Sequence, residues 1–338
     1  MSTKRIVAVA DTRTAVGDAA VEYCRRFSYA SSRQLARMLR RDFPLLFRNG
    51  EAARHAIRYY RGQCGRALRQ EVEKAGTSVP RYDLPKPEAV NFKIVPIPED
   101  VERWLVLADL HIPYHDDSAL ACAMDWAKAK ANRCDGILIL GDLLDCYQLS
   151  HWERDPRRRR FKAEVADAMS ILDILMKELR PRRMIWKGGN HEARLEHYLL
   201  QHAPELFDMD EFRFESFMDL KAKKIQWVEP LHVLEYRHLM VLHGHEWGGR
   251  WGGDPVNPAR TAYLRTHECA LVAHQHRTSE HTEKSAMGTT VTCWSVGALC
   301  NLHPDFRVIN PWNLGFGALD TRGGWKVQNM RIVEGDVV

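Results

Sequence analysis

Residues Gly136–Asp145 read GILILGDLLD, and no other stretch narrows the fold as much. Ile137–Leu140 is a short apolar run cut off by Gly141-Asp142. Runs of this length that stop at glycine fit a fully buried parallel strand. Asp142 then emerges at the strand's carboxyl end, where open α/β sheets place their ligand chemistry. An unpaired carboxylate is costly to bury, so Asp142 requires a cation.

The rest of the chain repeats the pattern. Trp104–Ala108 ends in Asp109-Leu110-His111, and Arg183–Lys187 ends in Gly188-Gly189-Asn190-His191-Glu192. Leu239–Leu242 ends in His243-Gly244-His245, and Ala270–Ala273 ends in His274-Gln275-His276. Singly, an Asp-x-His is an ordinary turn cap and a His-x-His an ordinary strand end. Five such clusters, each closing an apolar run, point to one metal centre. Carboxylate, imidazole and amide donors together suit Mn, Fe, Co, Ni or Zn rather than Ca. No Cys falls within a cluster, which argues against a structural zinc site. Two ions roughly 3.5–4 Å apart would activate water and clamp the oxygens of an in-line phosphoryl displacement. Asp142, with two carboxylate oxygens, is the expected bridge.

Asp109-x-His111, Gly141-Asp142-x-x-Asp145, Gly189-Asn190-His191-Glu192, His243 and His274-x-His276 occur in the order of the five motifs of the calcineurin-like metallophosphoesterases. From Val101 to the C-terminus the chain resembles that family. The resemblance implies an α/β fold of two facing β-sheets flanked by helices. It implies that Asp109, His111 and His276 hold one metal, that Asn190, His243 and His274 hold the other, and that Asp142 bridges them. A bridging hydroxide would attack phosphorus. By the same resemblance His191 is not a ligand but serves the leaving oxygen, while Asp145 and Glu192 orient ligands. Ala273 stands where the family usually has Gly, which removes backbone freedom but no ligand.

Composition bounds the rest. The chain has 338 residues, 45% hydrophobic and 28% charged, enough for one large domain and one small one. No apolar stretch is long enough to span a membrane. The early run Ile6–Ala10 is too short for a signal peptide. Eight scattered Cys without a Cys-x-x-Cys pair fit reduced thiols and a cytoplasmic protein. The net charge of +5 is uneven. Residues 1–75 hold 16 Lys/Arg against 7 Asp/Glu, and the remainder holds 33 against 37. That asymmetry points to an acidic partner.

In chain order, residues 1–75 are expected to form a small all-α module with helices at Asp18–Phe27, Arg33–Phe43 and Glu51–Gly62. Ser31-Ser32 would cap the second helix. Ala52, His55, Ala56 and Tyr59 would form the apolar face of the third, with Arg54, Arg58 and Arg61 on another. Together with Arg33 and Arg37 these arginines are the candidate nucleic-acid contacts, in a unit that resembles a helix-turn-helix module. A solvated helical cap is the competing reading. Arg58–Arg61, reading RYYR, interleaves cations with aromatics as nucleic-acid surfaces do. Residues 76–100 carry five prolines and form the expected linker. Strand–helix alternation from 101 to about 201 implies parallel strands. The strand-rich segment after Lys224 implies a second, mixed or antiparallel sheet.

Three stretches flank these clusters. Arg157–Arg160 reads as solvated surface, with phosphate contact as the minor reading. Arg194 stands one turn beyond His191, within reach of a substrate phosphate. Glu246–Asp254 (EWGGRWGGD) reads as a mobile loop at the site mouth, with Trp247 and Trp251 either packed or stacking a base. The expected function is therefore a two-metal phosphodiesterase or nuclease acting on nucleic acid or nucleotides, with Mn as the first candidate and no membrane partner. Two other readings stay open: a phosphomonoesterase, including a protein phosphatase, and a DNA-binding regulator with an idle phosphoesterase fold. Protein phosphatases of the family carry Arg-Gly soon after the second aspartate, where Cys146-Tyr147 stands here.

Overall fold

The computed structural model describes residues 3–61, 63–64, 93–248, 255–284, 286 and 288–338. The chain folds as two compact units, residues 1–90 and 91–338. In the first, helices α1 (Thr3–Arg26), α2 (Ser32–Asp42) and α3 (Gly50–Tyr60) surround Ala20, Leu35, Leu39, Phe47, Ala53 and Ile57. Ser31 caps α2 through a reciprocal box: its Oγ accepts the Gln34 N–H, and Gln34 Oε1 accepts the Ser31 N–H. Asn49 caps α3 through the Ala52 N–H at 2.8 Å.

Two expectations for this unit need correction. Helix α1 starts at Thr3 rather than Asp18; no proline interrupts the stretch before Asp18. The buried face of α3 is Ala53, Ala56 and Ile57, not Ala52, His55 and Tyr59. Ile57 is the strongest apolar side chain of the helix and turns it inward, whereas Tyr59 can keep its hydroxyl in water.

The second unit is a sandwich. Its first sheet contains β2 (Arg103–Leu107), β3 (Gly136–Leu140), β4 (Arg183–Lys187) and β5 (Ile225–Val228), all parallel. On the other side of β2 come β11 (Gly315–Asp320), β12 (Lys326–Val333) and β13 (Asp336–Val337), antiparallel in turn. The second sheet runs β1 (Ile94–Pro96), β6 (Val233–Tyr236), β7 (Leu239–Val241), β8 (Ala270–Val272), β10 (Thr290–Ser295) and β9 (Ser279–Lys284). Side-chain alternation explains the layers. Trp104, Val106, Leu138, Leu140 and Ile185 face the second sheet's Leu234, Leu239, Val241 and Leu271. Leu105, Leu107, Ile137, Ile139 and Trp186 face outward. There they pack beneath α4 (Asp117–Lys128), α5 (Phe161–Leu179), α6 (Ala193–His202) and the single-turn α7 (Phe214–Phe217). Helix α8 (Pro258–Thr266) covers the far face of the second sheet.

Apart from β1, β9 and β13 the strands stand at the expected apolar runs, but their distribution between the sheets differs. Ile225–Val228 belongs to the first sheet, and so do the strands at 315–320 and 326–333, all expected in the second. Which sheet a strand joins depends on where its crossover lands, which its own pattern does not encode. Within the expected linker, Ile94–Pro96 is an edge strand paired with β6, and Pro96 ends it where no donor is needed. Residues 76–92 lie outside those described. Strand β9 has charged residues along it and no apolar alternation, as suits an edge.

Candidate metal centre

The five clusters meet at the carboxyl ends of β2, β3, β4, β7 and β8. The backbone there is strained: Asp109, His111, Asp142, His274 and His276 all adopt left-handed φ, between 49° and 68°. Neighbouring loops hold one another in place, with the Asp109 N–H donating to Gly141 O and the His111 N–H to Asp142 O. Two glycines let the clusters close. A Cβ at Gly141 would come within 2.2 Å of His243 Nδ1, and one at Gly189 within 2.2 Å of Asp142 Oδ1.

The ligand-type atoms converge around Asp142 Oδ2. It lies 3.1 Å from His243 Nε2, 3.8 Å from His111 Nε2 and 3.9 Å from His191 Nε2. Asp109 Oδ1 is 3.4 Å from His276 Nε2, which is 3.1 Å from His111 Nε2. Three groups bring one ligand atom per residue within 4.8 Å of one another: Asp109, His111 and His276; Asp142, His243 and His274; and His111, Asp142 and His191. Asp142 uses its other oxygen, Oδ1, to accept the His191 N–H at 2.9 Å. Asp142 Oδ2 thus faces an imidazole of each group, His243 and His111.

Three of the imidazoles are aimed by the far nitrogen. His111 Nδ1 lies 3.1 Å from Asp145 Oδ1, and His243 Nδ1 lies 2.7 Å from Leu140 O. His276 Nδ1 faces Cys300 Sγ at 3.9 Å. Glu192, 2% exposed, accepts the N–H groups of Asp142, Leu144 and Gly189, joining the β3 and β4 loops. Glu246 accepts the N–H groups of His243 and Gly244 and pairs with the fully buried Lys187 at 2.9 Å. Lys187 also donates to Gly188 O and Pro230 O, so its three protons are all used.

The electrostatics are those of a site that wants positive charge. Burial works against charge on Asp142, yet His243, His191 and His111 hold its carboxyl well below the usual range. Burial likewise opposes charge on the imidazoles, but Asp142 outweighs it at His243, pushing it up to about 9, and Asp109 at His276, up to about 10. His274 and His245 lack so close a carboxylate, and burial drives them down to about 4 and about 3. Asp109 Oδ1, Asn190 Oδ1, His243 Nε2 and His274 Nδ1 are buried without a hydrogen-bond partner. Orphaned polar atoms of this kind are costly, and divalent cations would satisfy them, one beside Asp109 and one beside Asn190, His243 and His274.

The model of the calcineurin-like phosphoesterase family matches residues 103–284, more than half of the chain. This chain belongs to that family. Among curated proteins none matches it. Solved structures similar to it include a Vps29 single mutant from Entamoeba histolytica, at 13% identity and TM-score 0.35, over 70% of this chain and 96% of that one. They also include the hypothetical protein PH1004 from Pyrococcus horikoshii OT3, at 13% identity and TM-score 0.38, over 69% and 89%. Nuclease MPE from Pseudomonas putida follows, at 12% identity and TM-score 0.29, over 68% and 92%.

The other site residues of this phosphoesterase can now be placed. His191 Nδ1 lies 2.7 Å from Asp145 O, and Arg194 reaches both Asp145 O and His191 Nε2, at 2.7 and 3.1 Å. Arg194 therefore lies beside the cluster, already anchored. Arg157, Arg158 and Arg159 pair with Asp155, Asp305 and Asp167 at the surface. Trp247 packs into the apolar cluster under α8, while Trp251 lies outside the described residues. In the helical unit Arg54 pairs with Glu51, and Arg61 donates to Ser32 Oγ and to the carbonyls of Phe27 and Ser28. Arg33, Arg37 and Arg58 are exposed and form no ion pair among the described residues. Lys187, Cys300 and Glu246 have no assigned role in the motif reading. A lysine ending an apolar strand was the one visible signal for the first.

Proposed function

We propose that this chain is a metal-dependent phosphodiesterase acting on nucleic acid or nucleotides, with a binuclear centre. The meeting of carboxylate and imidazole atoms around Asp142, in groups whose ligand atoms lie within 4.8 Å of one another, carries the reading. Asp109, His111 and His276 would hold one ion, and Asn190, His243 and His274 the other, with Asp142 between them. Divalent ions there supply Lewis acidity and a water activated at neutral pH, with Mn the first candidate among Mn, Fe, Zn, Ni and Co.

The chain's own residues do the rest. Asp145 takes the outer nitrogen of His111 and backs His191, so both rings keep Nε2 toward the cluster. His191 donates Nδ1–H to the Asp145 carbonyl and turns Nε2 to Arg194; with a proton taken up on Nε2 in place of that contact it would serve a leaving oxygen. Arg194 steadies that imidazole and adds positive charge where the transition state gathers negative charge. The basic excess of residues 1–75 supports a polyanionic substrate, with Arg33, Arg37 and Arg58 as the side chains that would meet it. Residues 76–92 would then tether the helical unit to the catalytic one.

The test is purified protein with Mn, with and without chelator, offered an aryl monoester, an aryl diester, and single- and double-stranded DNA and RNA. Diester and nucleic-acid cleavage that disappears with chelator and in Asp142→Ala supports the reading. Cleavage of the monoester alone would make the chain a phosphomonoesterase. Nucleic-acid binding without any cleavage would make it a regulator, and undiminished activity in metal-free protein would end the two-metal assignment.

A further inference from the structure

Residues 301–313 form a loop that exposes large apolar side chains. Asn310 braces it from inside: its side chain donates to Leu302 O and Arg307 O and accepts the Trp312 N–H. Three of its apolar side chains point outward, among them Phe306, 83% exposed, and Ile309, 93% exposed. Displaying a ring on a braced loop has a cost in water, and a partner with an apolar face would recover it.

The loop is continuous with the metal centre. The Asn313 N–H donates to His276 O at 2.9 Å, and the Trp312 ring lies 4.3 Å from the His276 ring. Phe306 stands edge-on to Trp312 at 6.4 Å, and the Arg307 guanidinium sits 5.8 Å from the Trp312 centroid. Asp305 pairs with Arg158, which ties the loop to the arginine run 157–160. Aromatic faces interleaved with guanidinium groups, one ring beyond a phosphoesterase centre, are what stacked bases and flanking phosphates need.

We propose that Phe306 is the platform on which the base of the nucleotide bearing the scissile phosphate stacks, which makes the substrate a single-stranded nucleic acid. This rests on the phosphodiesterase reading above and adds the substrate class. Duplex DNA keeps its bases stacked on each other and would have to unpair to use the ring.

The test compares two esters with the same leaving group, the p-nitrophenyl ester of deoxyadenosine 5′-phosphate and methyl p-nitrophenyl phosphate, using Mn-loaded full-length protein. The readout is the ratio of their kcat/KM values, which cancels the shared metal chemistry. Phe306→Ala and Phe306→Leu should lower that ratio, by roughly 5–150-fold if one base stack is lost, and Phe306→Tyr should restore it. A ratio that stays at the wild-type value in the Ala and Leu variants would overturn the proposal, including the case where both esters slow equally. If the wild-type protein turned over neither ester, the phosphodiesterase reading would have failed on its own. Quenching of a 2-aminopurine trinucleotide would then decide about the platform. Weaker quenching in Phe306→Ala sustains it, and equal quenching leaves the apolar loop to a protein partner.

Discussion

Glu192 is the clearest place to test how the centre is held together. Its Oε2 accepts the Asp142 N–H at 3.0 Å and the Gly189 N–H at 2.7 Å, and its Oε1 accepts the Leu144 N–H at 3.1 Å. Glu192→Ala would orphan three buried amides, each worth about 1–3 kcal/mol. Two effects reduce the sum. A water can enter the polar gap, and a like charge beside Asp142 disappears; burial and that neighbour together already raise the Glu192 pKa. The expected net loss is about 3–5 kcal/mol, large against a typical stability of about 5–15 kcal/mol. At about 2–4 °C per kcal/mol for a domain of this size, Tm should fall by roughly 6–20 °C. Glu192→Gln keeps one oxygen for Asp142 and Gly189 but turns an amide toward the Leu144 N–H. It should cost about 1–3 kcal/mol. All ten Trp lie beyond Val101, so Trp fluorescence in chelator follows the phosphoesterase unit without the helical one. Equal Tm for wild type and Glu192→Ala, or a Gln variant less stable than the Ala variant, would refute this account.

Three further outcomes are expected. His191→Ala should slow diester hydrolysis by roughly 10²–10⁴ while bound Mn, measured by elemental analysis, stays at the wild-type level; loss of a metal would show that His191 is a ligand. In chelated protein the raised values of His243 and His276, about 9 and about 10, mean that their ion pairs with Asp142 and Asp109 contribute stability below about 6.5, lost as pH rises through those values. Mn must displace these protons, so its affinity should rise with pH and calorimetry in two buffers should detect proton release at pH 7; binding without proton release would show the apo imidazoles to be neutral. Replacing Arg33, Arg37 and Arg58 together by Ala should flatten the log–log salt dependence of nucleic-acid binding, by about 0.7–0.9 for each phosphate no longer neutralised, and an unchanged slope would leave the helical unit without that role.

The residues of the centre were legible because each lies just after an apolar run, and a strand's end is a local property. Asp109, Asp142, Asn190, His243 and His274 needed no tertiary information to be singled out. Their supports were not legible. Lys187 and Glu246 are 59 positions apart, and Cys300 meets His276 from another loop. The Arg157–Arg160 run gave no sign of which acid each arginine would find. In α3 the apolar face was placed one residue off, because Ala52 and Ala53 are equivalent until Ile57 meets its neighbours.

Sequence alone determined the strand ends, the donor types and the charge asymmetry, since these depend on residues a few positions apart. Only the tertiary structure decided which sheet β5, β11 and β12 join. It also decided that one oxygen of Asp142 faces an imidazole of each group while the other takes the His191 N–H, and that Trp312 stands beside His276 with Phe306 beyond it. Those outcomes depend on crossovers and loop closures spanning tens of residues, where local propensity is silent and burial of the sandwich core selects the arrangement.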